Sequence, residues 1–345
     1  MCAASPPAPA PLALTMGEPA GVAGEIAIKA WRRRADGVSP FFVIDDPGRL
    51  RTLARRIGLE VPVEAIERTE QAAEVFPRAL PVLKLTLPAP VEPGRLDPAN
   101  APAVIAAIER AVALATSGAA AAVVTGPIHK RTLYESGFRH PGHTEYLAAL
   151  AGGGAQPVMM LVGGGLRVVP ITIHKQLAHA IATLSTEAIV SKGRIVARAL
   201  ARDFAIARPR LAVAALNPHA GEGGSLGREE IDVIAPAIAA LARDGIDVSG
   251  PHPADTLFYH QARGRYDASL CMYHDQALIA LKTLDFEHGV NVTLGLPFVR
   301  TSPDHGTALE LAGTGRASEE SLLAALRLAR AIADCRARAR EGVAA

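Results

Sequence analysis

The sequence predicts an α/β protein of two α/β/α domains. Three observations carry this reading. Short apolar runs of strand length alternate with amphipathic helical patterns, the order that builds parallel crossovers. The chain has 345 residues, enough for two ordinary domains, and is 49% hydrophobic, enough to fill their cores. Three apolar runs, 168–173, 211–216 and 268–273, each break into a polar loop that carries a histidine: His174, His219 and His274. Parallel α/β sheets gather their chemistry at the carboxyl ends of strands. Three neutral imidazoles meeting there could hold one divalent metal and leave room for a substrate.

The elements follow in order. Residues 12–16 read as a first strand, followed by the loop Gly17-Glu18-Pro19-Ala20-Gly21 and a helix over 23–34. A second strand at 41–44 ends in Asp45-Asp46-Pro47, a helix spans 48–57, and 81–87 is a further strand. Asn100 is the expected cap of a long helix, because Val104, Ile105, Ile108, Val112 and Ala115 form an i, i+3/i+4, i+7 stripe. Gly118 ends that helix, and 119–124 is a strand stopped by Gly126-Pro127. Residues 158–162 and 166–173, joined by Gly163-Gly164-Gly165, read as a hairpin, so part of the second region is antiparallel. Helices over 187–204 and 229–243 flank the strand at 211–216; strands at 268–273 and 290–294 and a helix over 318–340 complete the chain.

Composition excludes several classes. The formal net charge of +2 gives no electrostatic footprint for nucleic acid. The arginines at 32–34 and 327–340 lie in amphipathic helical patterns and read as solvated faces. Cys2, Cys271 and Cys335 show no paired spacing, which predicts a reducing, cytoplasmic setting. No continuous apolar run approaches a membrane span, and the Ala/Pro-rich stretch 1–11 reads as a disordered lead-in without the basic start of a signal peptide.

Four constellations carry chemistry. The loop from Asn217 to Gly227 combines His219, Glu222 and glycines that let the backbone approach a ligand or take positive φ. His274-Asp275-Gln276 follows a strand, and Asp275 could orient the histidine or accept a proton; Lys282 could hold an anion. Pro141-Gly142-His143-Thr144-Glu145 enters a helix, with Thr144 either its cap or, with His143, part of a phosphate site. The stretch 291–308 places Asn291, Arg300, Ser302, Asp304, His305 and Thr307 along a strand and a loop, and Arg300 suits a carboxylate or phosphate. No G-x-G-x-x-G follows the first strand, so any nucleotide binds by another device.

At that last stretch the chain resembles a known fold family. His305-Gly306-Thr307-Ala308 followed by Ala312-Gly313 looks like the nucleotide-binding loop of isocitrate and isopropylmalate dehydrogenases. All four motifs together, in order from Leu12 to Ala331, resemble the narrower 4-hydroxythreonine-4-phosphate dehydrogenase family of pyridoxal phosphate biosynthesis. The resemblance implies metal ligation by His174, His219 and His274 and substrate binding by His143, Thr144, Lys282, Asn291 and Arg300. It implies nucleotide contacts at His305, Gly306 and Thr307, with NAD or NADP as oxidant and Zn²⁺, Mg²⁺ or Co²⁺ as metal. A homodimer with metal sites shared between subunits, at a cleft between two domains, is also implied. The corresponding domains are 12–135 with 290–345, and 136–289 carrying the metal histidines. The chain departs from the family pattern at Glu18, where Asp is usual, and at Ala277, where many members have Gly.

The implied reaction oxidises 4-phosphooxy-L-threonine to a β-keto acid that loses CO₂, leaving 3-amino-2-oxopropyl phosphate. Asp275, Asp255 and Lys282 are the candidates for the proton-transferring group. The nearest alternative is a sister dehydrogenase acting on 4-phospho-D-threonate, 4-phospho-D-erythronate or an aromatic dihydrodiol carboxylate. A metallohydrolase, an acyltransferase and a non-catalytic binding protein are the other classes to separate.

Overall fold

The computed structural model describes residues 9–344, so residues 1–8 of the expected lead-in, with Cys2, lie outside the described residues. In chain order the strands are β1 (Leu12–Thr15), β2 (Phe41–Asp45), β3 (Val63–Ile66), β4 (Leu80–Lys84), β5 (Ala122–Val124), β6 (Val158–Gly163), β7 (Leu166–Pro170), β8 (Arg210–Ala214), β9 (Asp247–His252), β10 (Ala268–Cys271), β11 (Val290–Leu294) and β12 (Arg300–Pro303). The helices are α1 (Ala23–Arg32), α2 (Pro47–Arg56), α3 (Gln71–Val75), α4 (Ala101–Ser117), α5 (Lys130–Glu135), α6 (His143–Ala151), α7 (Leu177–Ala182), α8 (Thr186–Asp203), α9 (Ala235–Arg243), α10 (Ala254–Leu257), α11 (His260–Arg263), α12 (His274–Leu284) and α13 (Glu320–Ala344).

The chain forms two compact units. The first holds residues up to Ala155 and Leu296–Ala333. Its sheet is wholly parallel in the order β3-β4-β2-β1-β5-β12. Strands β1 and β2 are buried at every position, as a sheet covered on both faces requires. Helix α4 lays Val104, Ala107, Ile108 and Ala111 into this core and stops at Gly118, whose left-handed φ of 82° favours glycine. The stretch Pro98–Ser117 is 20 residues long at mean hydropathy 1.2, long and apolar enough by composition to cross a membrane. Glu109 and Arg110 interrupt its apolar run, and its buried residues make it a core helix.

The second unit holds Gln156–Gly295 and the residues from Asp334. Its strand order is β11-β6-β7-β10-β8-β9, with β6 antiparallel to both neighbours and the rest parallel. The hairpin read from the triple glycine is present. The boundaries differ from the expected ones at three places, each for a packing reason. Residues 136–155 sit in the first unit because Tyr146 and Leu147 of α6 join its core and the Tyr146 hydroxyl donates to Glu109 at 2.7 Å. Residues 290–295 belong to the second because β11 pairs along its whole length with β6. The end of α13 belongs there because Arg336 is bonded to Asp203 of α8 at 2.8 Å.

Two caps also differ from expectation. Asn100 occupies the N-cap position of α4 as expected but makes no side-chain capping hydrogen bond; its Oδ1 accepts from the backbone of Ala89 at 3.0 Å, while Asp97 caps the short turn Pro98–Asn100. Thr144 is inside α6, whose N-cap is Gly142 with no side-chain hydrogen bond.

Candidate active site

In the second unit the three histidines follow three adjacent parallel strands. The sheet runs β7-β10-β8, and His174, His274 and His219 follow those strands respectively. Pairing of β7 with β10 continues past the strands: Ile171 N donates to Cys271 O at 2.7 Å and the Thr172 hydroxyl to Met272 O at 2.8 Å. This brings the rings of His174 and His274 together, with centroids 5.6 Å apart. They line one cavity of about 250 Å³ with Thr172, Tyr273 and Asp275. Asp275 Oδ1 lies 2.7 Å from His274 Nδ1, which leaves the other ring nitrogen to face a ligand. Buried Gln276 ties the β10 end to the β8 end, accepting from Met272 N at 2.6 Å and donating to Ala215 O at 2.7 Å.

His219 stands on an unusual backbone. Residues His219, Ala220, Gly221, Glu222 and Gly223 all have left-handed φ/ψ, a conformation costing roughly 1–2 kcal/mol for each non-glycine residue. Glu230, 4% exposed, holds the loop in place. Its carboxylate accepts from Leu216 N at 2.8 Å, Asn217 N at 2.7 Å and the Asn217 amide at 2.9 Å. Gly221 is required there, since a Cβ at its φ of 76° would lie 2.8 Å from Glu230 Oε2. Burial pushes the Glu230 carboxyl up, and the hydrogen bonds from Asn217 and Leu216 outweigh this, holding it below the ordinary carboxylate range. Glu222 Oε1 lies 2.7 Å from His219 Nδ1 and, with a smaller contribution from Asp255, holds the imidazole above its usual range. His174 shares the left-handed backbone, with φ 38°.

The donor set fits a divalent metal of the imidazole-preferring kind. Two of the three rings have one nitrogen held by a carboxylate, the arrangement that fixes ligand histidines. Among the described residues no three His, Cys, Asp or Glu side chains converge on one point, so His174 and His274 are brought together while His219 stands apart from them.

The first unit carries a second cluster. Arg300 is 4% exposed at the start of β12, beside the end of β5, and donates to the Thr125 hydroxyl at 2.8 Å. Burial pushes its guanidinium down to about 10. His143 opens α6; its Nε2 is buried and has no hydrogen-bond partner. Burial, then Arg300 and Lys130, hold the imidazole well below its ordinary range, so it is neutral at pH 7. A half-buried neutral imidazole with its Nε2 buried, among cations and at a helix start with free backbone N–H groups, is suited to an anion.

The loop 305–307 is locked against the first loop of the chain. Val22 N donates to Thr307 O at 3.0 Å, and a Cβ on Gly21 would lie 2.9 Å from that oxygen. Glu25, fully buried, accepts from the backbone of Gly313, Gly315 and Ala317 at 3.1, 3.3 and 3.0 Å. His305 Nδ1 lies 2.9 Å from Gly306 O, and its Nε2 is buried without a partner.

Of the other expected residues, Asn291 lies on β11 with a buried, unpartnered Oδ1. Lys282 lies on the last turn of α12 with its ammonium 5.4 Å from the Phe286 ring centroid. Asp255 opens α10. Motif reading missed the supporting residues Glu25 and Glu230. Each is a charged residue within a helical pattern, and only its burial distinguishes it.

Fold and loops together define an α/β enzyme in which three histidines stand after the carboxyl ends of three adjacent parallel strands. Residues 38–329 match the family described as pyridoxal phosphate biosynthetic protein PdxA. A relative from Caulobacter vibrioides named 4-hydroxythreonine-4-phosphate dehydrogenase is 56% identical over 96% of this chain and 99% of its own. A crystal structure of 4-hydroxythreonine-4-phosphate dehydrogenase from Klebsiella pneumoniae superposes with a TM-score of 0.86 at 40% identity, covering 94% of this chain and 99% of that one. A terephthalate 1,2-cis-dihydrodiol dehydrogenase from Burkholderia xenovorans is more distant, with a TM-score of 0.63 at 30% identity, covering 93% and 98%. The chain belongs to the PdxA family.

Proposed function

We propose that this enzyme oxidises 4-phosphooxy-L-threonine with NAD or NADP to 2-amino-3-oxo-4-phosphooxybutanoate, which decarboxylates to 3-amino-2-oxopropyl phosphate. The observation that carries the reading is the succession of His174, His274 and His219 after the adjacent strands β7, β10 and β8, in a member of this family. In this reading His174, His219 and His274 hold a divalent metal. Bound, the metal would supply Lewis acidity at the substrate hydroxyl and the nicotinamide a hydride acceptor.

The chain's own groups do the rest. His143, Thr144, Lys282, Asn291 and Arg300 bind the phosphate and carboxylate of the substrate, a load of negative charge that suits two cations and a neutral imidazole. His305, Gly306 and Thr307 contact the nucleotide; Val22 holds Thr307 in place, and Glu25 holds the following segment 313–317. Asp275 orients His274 through Nδ1 and is thereby committed, which leaves Asp255 and Lys282 to take the hydroxyl proton and to return one to carbon after CO₂ departs. The enzyme works as a homodimer with the metal site shared, consistent with His219 standing apart from the other two histidines in one chain. The buried free thiol of Cys271 is consistent with a cytoplasmic setting.

The test is reduced-nicotinamide formation from 4-phosphooxy-L-threonine, with and without a chelator. Metal-dependent turnover is expected. Turnover only of 4-phospho-D-threonate, 4-phospho-D-erythronate or a dihydrodiol carboxylate would replace the reading with that of a sister dehydrogenase.

A further inference from the structure

We propose that Lys130 is a further binding residue of the phosphate subsite, supplying a cation in addition to those of the motif residues. The inference deepens the reading above and rests on it for the identity of the phosphate monoester.

Lys130 begins α5, in the loop that leaves β5. Strand β5 delivers Thr125, the hydroxyl bonded to Arg300, so Lys130 and Arg300 approach from the same sheet end. Lys130 also reaches the start of α6: a Cβ placed on Gly142 would lie 3.8 Å from its Nζ. Among the described residues Lys130 makes no side-chain hydrogen bond or ion pair, although Glu145, one turn into α6, faces the same glycine. The neighbouring His143 Nε2 is buried with nothing to bond. Lys130 and Arg300 are the two cations whose fields reach that ring.

An uncommitted ammonium, a buried unpartnered imidazole nitrogen and an uncapped helix start thus share one corner of the first unit. A phosphate monoester answers all three. Its oxygens accept from His143 Nε2, from the free N–H groups of α6 and from Lys130, whose charge adds to that of Arg300 against the phosphate's two negative charges. A carboxylate, with one charge and two oxygens, leaves part of this set unused.

The experiment uses the full-length enzyme as Lys130→Met and Lys130→Arg. KM for 4-phosphooxy-L-threonine should rise roughly 10- to 100-fold in Lys130→Met, the range for losing one hydrogen bond to a charged group, with a smaller change in kcat. Lys130→Arg should recover most of the loss. Inorganic phosphate provides the second arm, followed through the His143 ring resonances, which His143→Gln assigns. Lys130→Met should need about tenfold more phosphate than wild type to shift them. Unchanged KM and unchanged phosphate titration in Lys130→Met, with wild type active, would overturn the proposal. If wild type does not turn over 4-phosphooxy-L-threonine, the functional reading fails separately, and the phosphate titration still decides for or against Lys130.

Discussion

His174 and His274 stand ring to ring, 5.6 Å between centroids, although a hundred residues separate them in the chain. Their approach is produced by main-chain pairing that runs on beyond β7 and β10, sealed by the Thr172 hydroxyl on Met272 O. His219 follows the next strand of the sheet on a left-handed loop, and among the described residues it forms no three-ligand group with them.

If the metal is shared between subunits, two inactive variants should repair one another. Purified His219→Ala and His274→Ala, mixed and allowed to exchange subunits, should recover up to about a quarter of wild-type activity. Half of the dimers are then mixed, and each has one intact site. Pairing each with His174→Ala identifies which histidines come from the same chain. No recovery in any pair would mean that each site is built from one subunit.

Glu230 carries the His219 loop without reaching the ligand itself. Glu230→Gln keeps the shape and one oxygen for the Leu216 and Asn217 N–H groups, but turns an amide donor toward the Asn217 side-chain N–H that the second carboxylate oxygen accepted. The expected cost is about 1–3 kcal/mol in urea unfolding and a 10- to 100-fold loss of metal affinity. Zinc titration of the variant checks the second figure. Wild-type affinity would show that the loop holds His219 without it.

Glu25 should act on the cofactor side. With its carboxylate replaced in Glu25→Gln, the 313–317 segment loses a charged acceptor for three backbone N–H groups. KM for the nicotinamide nucleotide should rise while KM for the substrate changes little, with stability lower by about 1–3 kcal/mol. An equal rise in both constants would separate this segment from nucleotide binding.

Asp203 and Arg336 form a buried pair, 2% and 8% exposed, with a second arginine, Arg202, on the same carboxylate. Burial raises the Asp203 carboxyl, and the hydrogen bonds from Arg336 and Arg202 outweigh it, so the net displacement is downward. A depressed carboxylate stabilises the fold above the ordinary value and loses that contribution as pH falls below about 4 toward the folded value. Asp203→Asn should cost about 3–5 kcal/mol at pH 7, because it leaves a buried guanidinium uncompensated. The gap to wild type should narrow as the pH falls. A constant gap from pH 7 to pH 3 would mean that the charge is not the source of the stability.

Elements with a strong apolar period were legible, including β1, β2, α4, the β6–β7 hairpin and α8. Three strands escape the apolar patterning; β12 does so because its four residues, Arg300-Thr301-Ser302-Pro303, contain no apolar run. Strand β3 is only Val63-Glu64-Ala65-Ile66, and β9 contains Gly250-Pro251, a pair that argues against a strand; both lie at the margins of their sheets. The helix expected from Glu229 begins as a π-helical turn over Glu230–Ile234, which turns Glu230 toward the His219 loop. Periodicity carries no mark of that turn.

The sequence by itself determined that three histidines would follow three buried strands, because burial and strand ends are written in local apolar runs and the polar loops that break them. Its ordered motifs also pointed to the family. The tertiary structure decided which of those strands are neighbours, which side chains hold each loop, and that His219 stands apart from His174 and His274 in one chain. Those outcomes depend on pairing between segments such as 171 and 271 and on carboxylates that become buried only when distant elements close over them. Pairing and burial of that kind are properties of the packed chain, and no local window of sequence contains them.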